Sequence, residues 1–239
     1  MSEKHLSSQF DSELNAISSR VMEMGGIVEA QIDHAIDALA DLDTQIADQV
    51  METELRVNAM EVEIDRELLS IIARRQPAAR DLRLLMAISK ATANLERAGD
   101  EAHKMARMVK SIVNGGMART LPGNELRVAA DLASALLRKA LHALARLDTN
   151  AALSILKEDD LIDSEFDGFV RKLVTYMMED PRTISASLDL VFLAKAIERI
   201  GDHAKNIAEL IIYIVKGADV RHTSMQDIEF TLQRDESVS

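Results

Sequence analysis

Seven residues recur in this chain at a fixed interval. Glu96-Arg97-Ala98-Gly99-Asp100-Glu101-Ala102 returns, with two changes, as Glu198-Arg199-Ile200-Gly201-Asp202-His203-Ala204, 102 residues later. An upstream stretch repeats as well. Ala35-Ile-Asp-Ala-Leu-Ala-Asp-Leu-Asp-Thr44 matches Ala140-Leu-His-Ala-Leu-Ala-Arg-Leu-Asp-Thr149 at seven of ten positions. A period near 100 is too long for one unit of a solenoid. It fits a domain-sized unit that was duplicated, so each half must build the same structure.

That structure is helical. Apolar residues return with the 3.6-residue period, and six long segments follow. They run from about Phe10 to Leu42, Thr44 to Arg75, Ala78 to Val113, Asn124 to Leu147, Thr149 to Met178, and Pro181 to Lys216. Asp43-Thr44 and Asp148-Thr149 supply N-cap signals, Pro77 and Asp180-Pro181 supply breaks, and Gly217 a C-cap. Met22-Glu-Met-Gly25-Gly26 is a candidate kink in the first segment. Segments of about 30 residues span ~45 Å, and short connections make neighbours antiparallel. The expected fold is all-α, two tandem pseudo-symmetric three-helix bundles of six long helices. The first repeat is residues 1–115, the second 124–217, and 218–239 form a polar tail that is partly helical or frayed. Composition agrees: 3% aromatic residues, no Trp, and only 9 Gly and 3 Pro leave little for short strands.

Several function classes drop out. The net charge of −12 disfavours nucleic acid as a partner. The absence of Cys removes disulfides, thiolate metal sites and a Cys nucleophile. The first residues lack the apolar stretch of a signal peptide. No uncharged apolar run nears the ~20 residues that span a bilayer. A cytoplasmic protein is expected, meeting membranes only through partners. No Gly-rich phosphate loop or nucleophile motif occurs.

Four acidic pairs share one spacing: Glu61/Asp65, Glu96/Asp100, Asp163/Asp167 and Glu198/Asp202. Residues four apart lie one turn apart on the same helix face. Such carboxylates repel unless a cation or a basic side chain sits between them. With the offset of 102 carried onto the second and fifth segments, Glu61 falls on Asp163 and Asp65 on Asp167. Two helices with one pair each offer four carboxylates, a set that suits a hard divalent cation or a multinuclear cluster. Acids at this spacing are also common on solvated helices; the repetition favours metal. Asn58 and Asp160 are candidate additional ligands, His103 and His203 auxiliary ones, while the other His residues read as surface. On the sixth segment, Glu198 and Asp202 lie at least ~100° from the centre of the apolar stripe, on the flank or outer face of the bundle. Gly99 and Gly201 cost ~1 kcal/mol each within a helix, so a ligand or a packed helix comes close there. No Glu-x-x-His accompanies the acids, so an oxygen-activating di-iron enzyme is not expected. Arg75, Arg80 and Arg83 form a basic cluster that is a candidate partner contact, or that stabilises helix ends.

The doubled Glu-Arg-x-Gly-Asp-x-Ala motif resembles that of the PhoU family of phosphate-signalling regulators. So do Arg75-Gln-Pro-x-x-x-Asp81-Leu-Arg83, Met22-x-Met-Gly-Gly26, Asn58-x-x-Glu61-x-x-x-Asp65 and Tyr176-Met-Met-Glu-Asp180. The resemblance runs from about residue 5 to 225. It implies two three-helix bundles with multinuclear sites at the acidic motifs, holding Mg²⁺, Mn²⁺, Zn²⁺ or Fe. It implies a negative regulator of the phosphate-starvation response rather than an enzyme. Such a regulator links the high-affinity phosphate transporter, through its ATPase subunit PstB, to the sensor histidine kinase PhoR. A homodimer is expected. The competing reading is a carboxylate-cluster metalloenzyme.

Overall fold

Two aspartates start the second helix of each half. The Asp43 carboxylate accepts from the backbone N–H of Gln45 and Ile46, and that of Asp148 from Asn150 and Ala151. Such caps are worth about 1 kcal/mol each. In the computed structural model, which describes residues 8–116, 122 and 125–233 without the side chains of residues 8, 159 and 160, seven α-helices follow. They are α1 (Ser8–Asp41), α2 (Thr44–Arg75), α3 (Ala79–Asn114), α4 (Leu126–Arg146), α5 (Thr149–Glu179), α6 (Ile184–Lys216) and α7 (Met225–Gln233). Among the described residues there is no strand. A 3₁₀ turn, Pro181–Thr183, precedes α6, with Asp180 accepting from the Arg182 N–H. The expected start at Asn124 lies outside the described residues. The C-terminal stretch carries α7, which buries Ile228 and pairs Glu229 with Lys157 of α5.

The two halves share one core. α3 and α6 are the most extensively packed pair, and they run antiparallel. Asn94 accepts from Asn206 at 3.0 Å, Glu101 meets Arg199 at 3.2 Å, and Ser111 donates to Asp189 at 2.7 Å. Residue numbers rise on one helix as they fall on the other. Gly99 and Gly201 therefore sit at the midpoint, where the pseudo-twofold axis passes. α1 and α4 pack antiparallel beside this pair: Ser134 donates to Asp33 at 2.6 Å, and Arg138 reaches Glu29 and Asp33. α2 and α5 take the flanks, each against the two other helices of its own half.

Gly25 belongs to the α1–α4 crossing. α1 continues as a helix through it, and an added Cβ would come within 2.5 Å of Leu141 Cδ2. Gly25 allows a close approach of Leu141 from α4.

Burial corrects the register of the repeat. Ala47, Val50, Val57, Ile64 and Leu68 of α2 are buried, as are Ala152, Ile155, Ile162, Phe169 and Leu173 of α5. These pairs, like the caps Asp43 and Asp148, lie 105 residues apart. The stretch from cap to Glu-Arg motif is 53 residues in the first half and 50 in the second. The missing three residues lie between the α5 core positions and that motif. So Glu54 aligns with Asp159 and Asn58 with Asp163, while Glu61 and Asp65 align with Phe166 and Val170. The offset of 102 holds for α3 and α6 only.

Candidate metal centre

Antiparallel α2 and α3 turn acidic faces toward a common groove. Glu54 of α2 and Glu96 and Asp100 of α3 bring carboxylate oxygens within 4.8 Å of one another. Among the described residues this is the one such cluster of three His, Asp or Glu ligand groups. Glu54 is only 5% exposed, because it occupies a position in the buried stripe between Val50 and Val57. Glu96 and Asp100 are half-buried on the flank of α3.

The electrostatics report crowding. Burial, then the charges of Asp100, Glu61 and Glu54, push the Glu96 carboxyl up to about 7, against partial relief from Arg97. Burial first, with Asp65 and Asp100 adding, also raises Glu61. Glu54 is raised by burial and by Asp100, against hydrogen bonds from Gln31 and Asn58. Each shift has the sign of an anion short of water and of positive neighbours. Three buried acceptors in this region lack a donor: Gln31 Oε1, Glu54 Oε1 and Asn58 Oδ1. An all-oxygen set with surplus acceptors and like charges fits a hard divalent cation.

Gly99 has a packing explanation. An added Cβ would stand 3.0 Å from Gln31 Oε1, 3.3 Å from Glu54 Oε2 and 3.4 Å from Val57 Cγ1. The missing side chain admits α1 and α2 side chains against the α3 backbone, one residue before Asp100.

The expected site residues separate by half. In the first, Glu61, Asp65, Glu96 and Asp100 line the α2–α3 groove, and Asp65 accepts from Ser89 across it at 3.0 Å. Asn58 joins them with its unpartnered oxygen. In the second, Glu198 accepts from Lys195 at 2.7 Å, and Lys195 lies 5.3 Å from the centre of the Phe166 ring. Asp202 is half-buried and Asp163 exposed. The Asp167 side chain is 68% exposed, with Arg171 at 3.9 Å. The side chain of Asp160 lies outside the described residues.

His203, a candidate auxiliary ligand, is half-buried. It sits in the α3–α6 seam, Nδ1 3.1 Å from Asn94 Oδ1. Burial and the charges of Arg97, Arg199 and Lys104 push it down to about 4, so it is neutral at pH 7. His103 is lowered by burial and by Arg107. Within the basic cluster, Arg75 donates twice to Glu13 of α1, at 2.9 Å each, and the ion pair holds Glu13 down to about 2. Arg80 is exposed, and Arg83 packs its guanidinium against Gly217, the C-cap of α6.

Sequence reasoning missed Glu54 and Gln31. The signal for Glu54 was available: registering the halves on their caps puts an acid at that position in both, Glu54 and Asp159. Gln31 shows as a polar residue in the apolar stripe of Val28, Ile32 and Ala35.

The chain is similar to known proteins in both sequence and structure. The PhoU domain model matches the chain twice, at residues 21–109 and 126–211. A relative from a Burkholderia species, named "Phosphate-specific transport system accessory protein PhoU homolog", is 50% identical over 229 residues, covering 95% of this chain and 97% of that one. The Escherichia coli K12 protein, "Phosphate-specific transport system accessory protein PhoU", is 45% identical over 226 residues, covering 95% and 93%. The crystal structure of PhoU from Pseudomonas aeruginosa superposes with a TM-score of 0.82 at 44% identity, covering 87% of this chain and all of that one. With the family model falling once on each half and relatives matching nearly end to end, the chain belongs to the PhoU family.

Proposed function

We propose that this chain is a non-catalytic adaptor of phosphate signalling. It holds divalent cations at its acidic motifs and represses the phosphate-starvation response when phosphate is plentiful. It does so by coupling the ATPase subunit PstB of the high-affinity transporter to the sensor kinase PhoR. It works in the cytoplasm as a homodimer; no described helix is long and apolar enough to cross a membrane.

The observation that carries the cation role is the convergence of Glu54, Glu96 and Asp100 within 4.8 Å, with Glu96 raised to about 7. Glu54, Glu61, Glu96 and Asp100 would hold the ion, with Asn58 beside them. In the second half, Asp163, Glu198 and Asp202 would serve, with Asp167 further out. The cation would supply positive charge that stiffens neighbouring helices by cancelling repulsion. The adaptor role draws on the relatives' names as accessory proteins. It also draws on exposed apolar residues that repeat between halves: Leu69, Leu82 and Met86 in the first, Val174, Ile184 and Leu188 in the second. Scattered exposed apolar residues are ordinary, whereas exposed apolar positions kept in both copies suit docking.

Calorimetric titration with Mn²⁺ or Mg²⁺ tests the cation role on wild type and on Asp100→Ala/Asp202→Ala. We expect the double variant to lose binding; equal binding by both would remove these motifs from the mechanism. Capture from cells grown with and without phosphate tests the coupling. PstB and PhoR should be retained when phosphate is plentiful, and recovery of neither would refute it.

A further inference from the structure

Gln31 is 1% exposed, in the middle of α1, between Val28 and Ile32. A buried amide is costly unless it is hydrogen-bonded. Its Nε2 donates twice across to α2, to the Val50 carbonyl at 3.1 Å and to Glu54 Oε2 at 3.0 Å. These two acceptors fix which way the amide faces. Its Oε1 is left buried and without a donor, as is Glu54 Oε1. The pair occupies the space that Gly99 vacates: a Cβ there would meet Gln31 Oε1 at 3.0 Å and Glu54 Oε2 at 3.3 Å. α1 thus reaches through α2 to the α3 backbone beside Asp100.

The second half shows that the three-helix unit does not need this amide. The register that aligns Ala35 with Ala140 and Asp43 with Asp148 puts Leu136, itself buried, where the first half has Gln31. An apolar residue fills the position in one copy and a doubly donating amide in the other. Packing alone does not account for the glutamine.

We propose that Gln31 is a positioning residue for the first-half site. Its amide clamps the Glu54 carboxylate in the orientation used for a divalent cation, and it makes that half the tighter of two cation sites. This rests on the cation-binding role proposed above. Partners that orient a ligand in this way typically contribute 10–100-fold to metal affinity.

The test titrates the full-length, metal-free protein with MnCl₂ by calorimetry and melts the same samples with and without Mn²⁺. The variants are Gln31→Met, which keeps the length and loses the hydrogen bonds, and Gln31→Leu, which installs the second half's residue. Wild type should show two classes of Mn²⁺ binding. Both variants should weaken the tighter class by about tenfold and leave the weaker class unchanged. Their metal-free melting temperatures should fall only modestly, because the buried Glu54 carboxylate loses a donor while the unpaired Gln31 Oε1 is removed with it. Unchanged isotherms would overturn the proposal while leaving the cation role standing. A strongly lowered metal-free melt with both classes weakened together would make Gln31 structural and also overturn it. A wild type that neither binds Mn²⁺ nor gains stability from it would remove the cation role and this inference together.

Discussion

The two halves share one helical plan but treat their acids differently. In the first half, Glu54, Glu96 and Asp100 crowd together, Glu54 is clamped by Gln31, and Glu96 is raised to about 7. In the second, Glu198 already has a cation, the Lys195 ammonium, which is in turn held over the Phe166 ring. The residue aligned with Lys195 is Ala93, and that aligned with Phe166 is Glu61. One copy leaves its clustered negative charge with only partial relief from Arg97, and the other offsets part of it with Lys195. Duplication conserved the scaffold, held by caps and core, and left the polar flank free to diverge.

The largest effect should come from removing one charge in each copy. Unit charges 4 Å apart interact by about 4 kcal/mol at an effective dielectric of 20. Glu96→Gln should therefore weaken the tighter Mn²⁺ class by at least about 100-fold. Glu198→Gln, whose charge Lys195 already offsets, should cost no more than about tenfold in the weaker class. Calorimetry of both variants checks this, and equal losses would erase the distinction between the halves.

Lys195→Ala makes the second half resemble the first. Exposed ion pairs contribute up to about 1 kcal/mol, so this variant should bind Mn²⁺ up to about fivefold more tightly in the weaker class. A weaker class that is unchanged or loosened would mean that Lys195 does not stand in for the ion.

The pH dependence carries the same asymmetry. Glu96 has a raised folded pKa, so the folded state binds its proton more tightly than the unfolded chain does. Stability from this group is present below the unfolded value of about 4.5 and is lost as pH rises to about 7. Metal-free protein should melt lower at pH 8 than at pH 5 in this respect. Mn²⁺ or Glu96→Gln should flatten that slope, and Glu198→Gln should not. The smallest effect belongs to Arg171→Ala. It removes only the exposed contact with Asp167 and should shift stability by less than about 0.5 kcal/mol in a denaturant melt.

Much of the scaffold was legible in the sequence, because helices announce their ends and faces locally. Asp43, Asp148, Pro77 and Gly217 marked boundaries, and the apolar period marked the core. Glu96 and Asp100 were legible because their motif repeats. Glu54 and Gln31 were not recognised, since periodicity assigns their positions to the core and polar residues there look like exceptions. Their meaning depends on which helices face each other, which is a long-range fact. The register of α5 was misread because a three-residue difference hides behind the strong match of α3 to α6. Caps and burial resolve it; the Glu-Arg motif alone does not.

Crystals grown with Mn²⁺ offer the most direct measurement, through anomalous scattering from the metal. The strongest peak should stand between α2 and α3, beside Glu54, Glu96 and Asp100, and should vanish in Glu96→Gln. Saturating Mn²⁺ with no peak at that cluster, or with peaks only along the second half, would contradict this account.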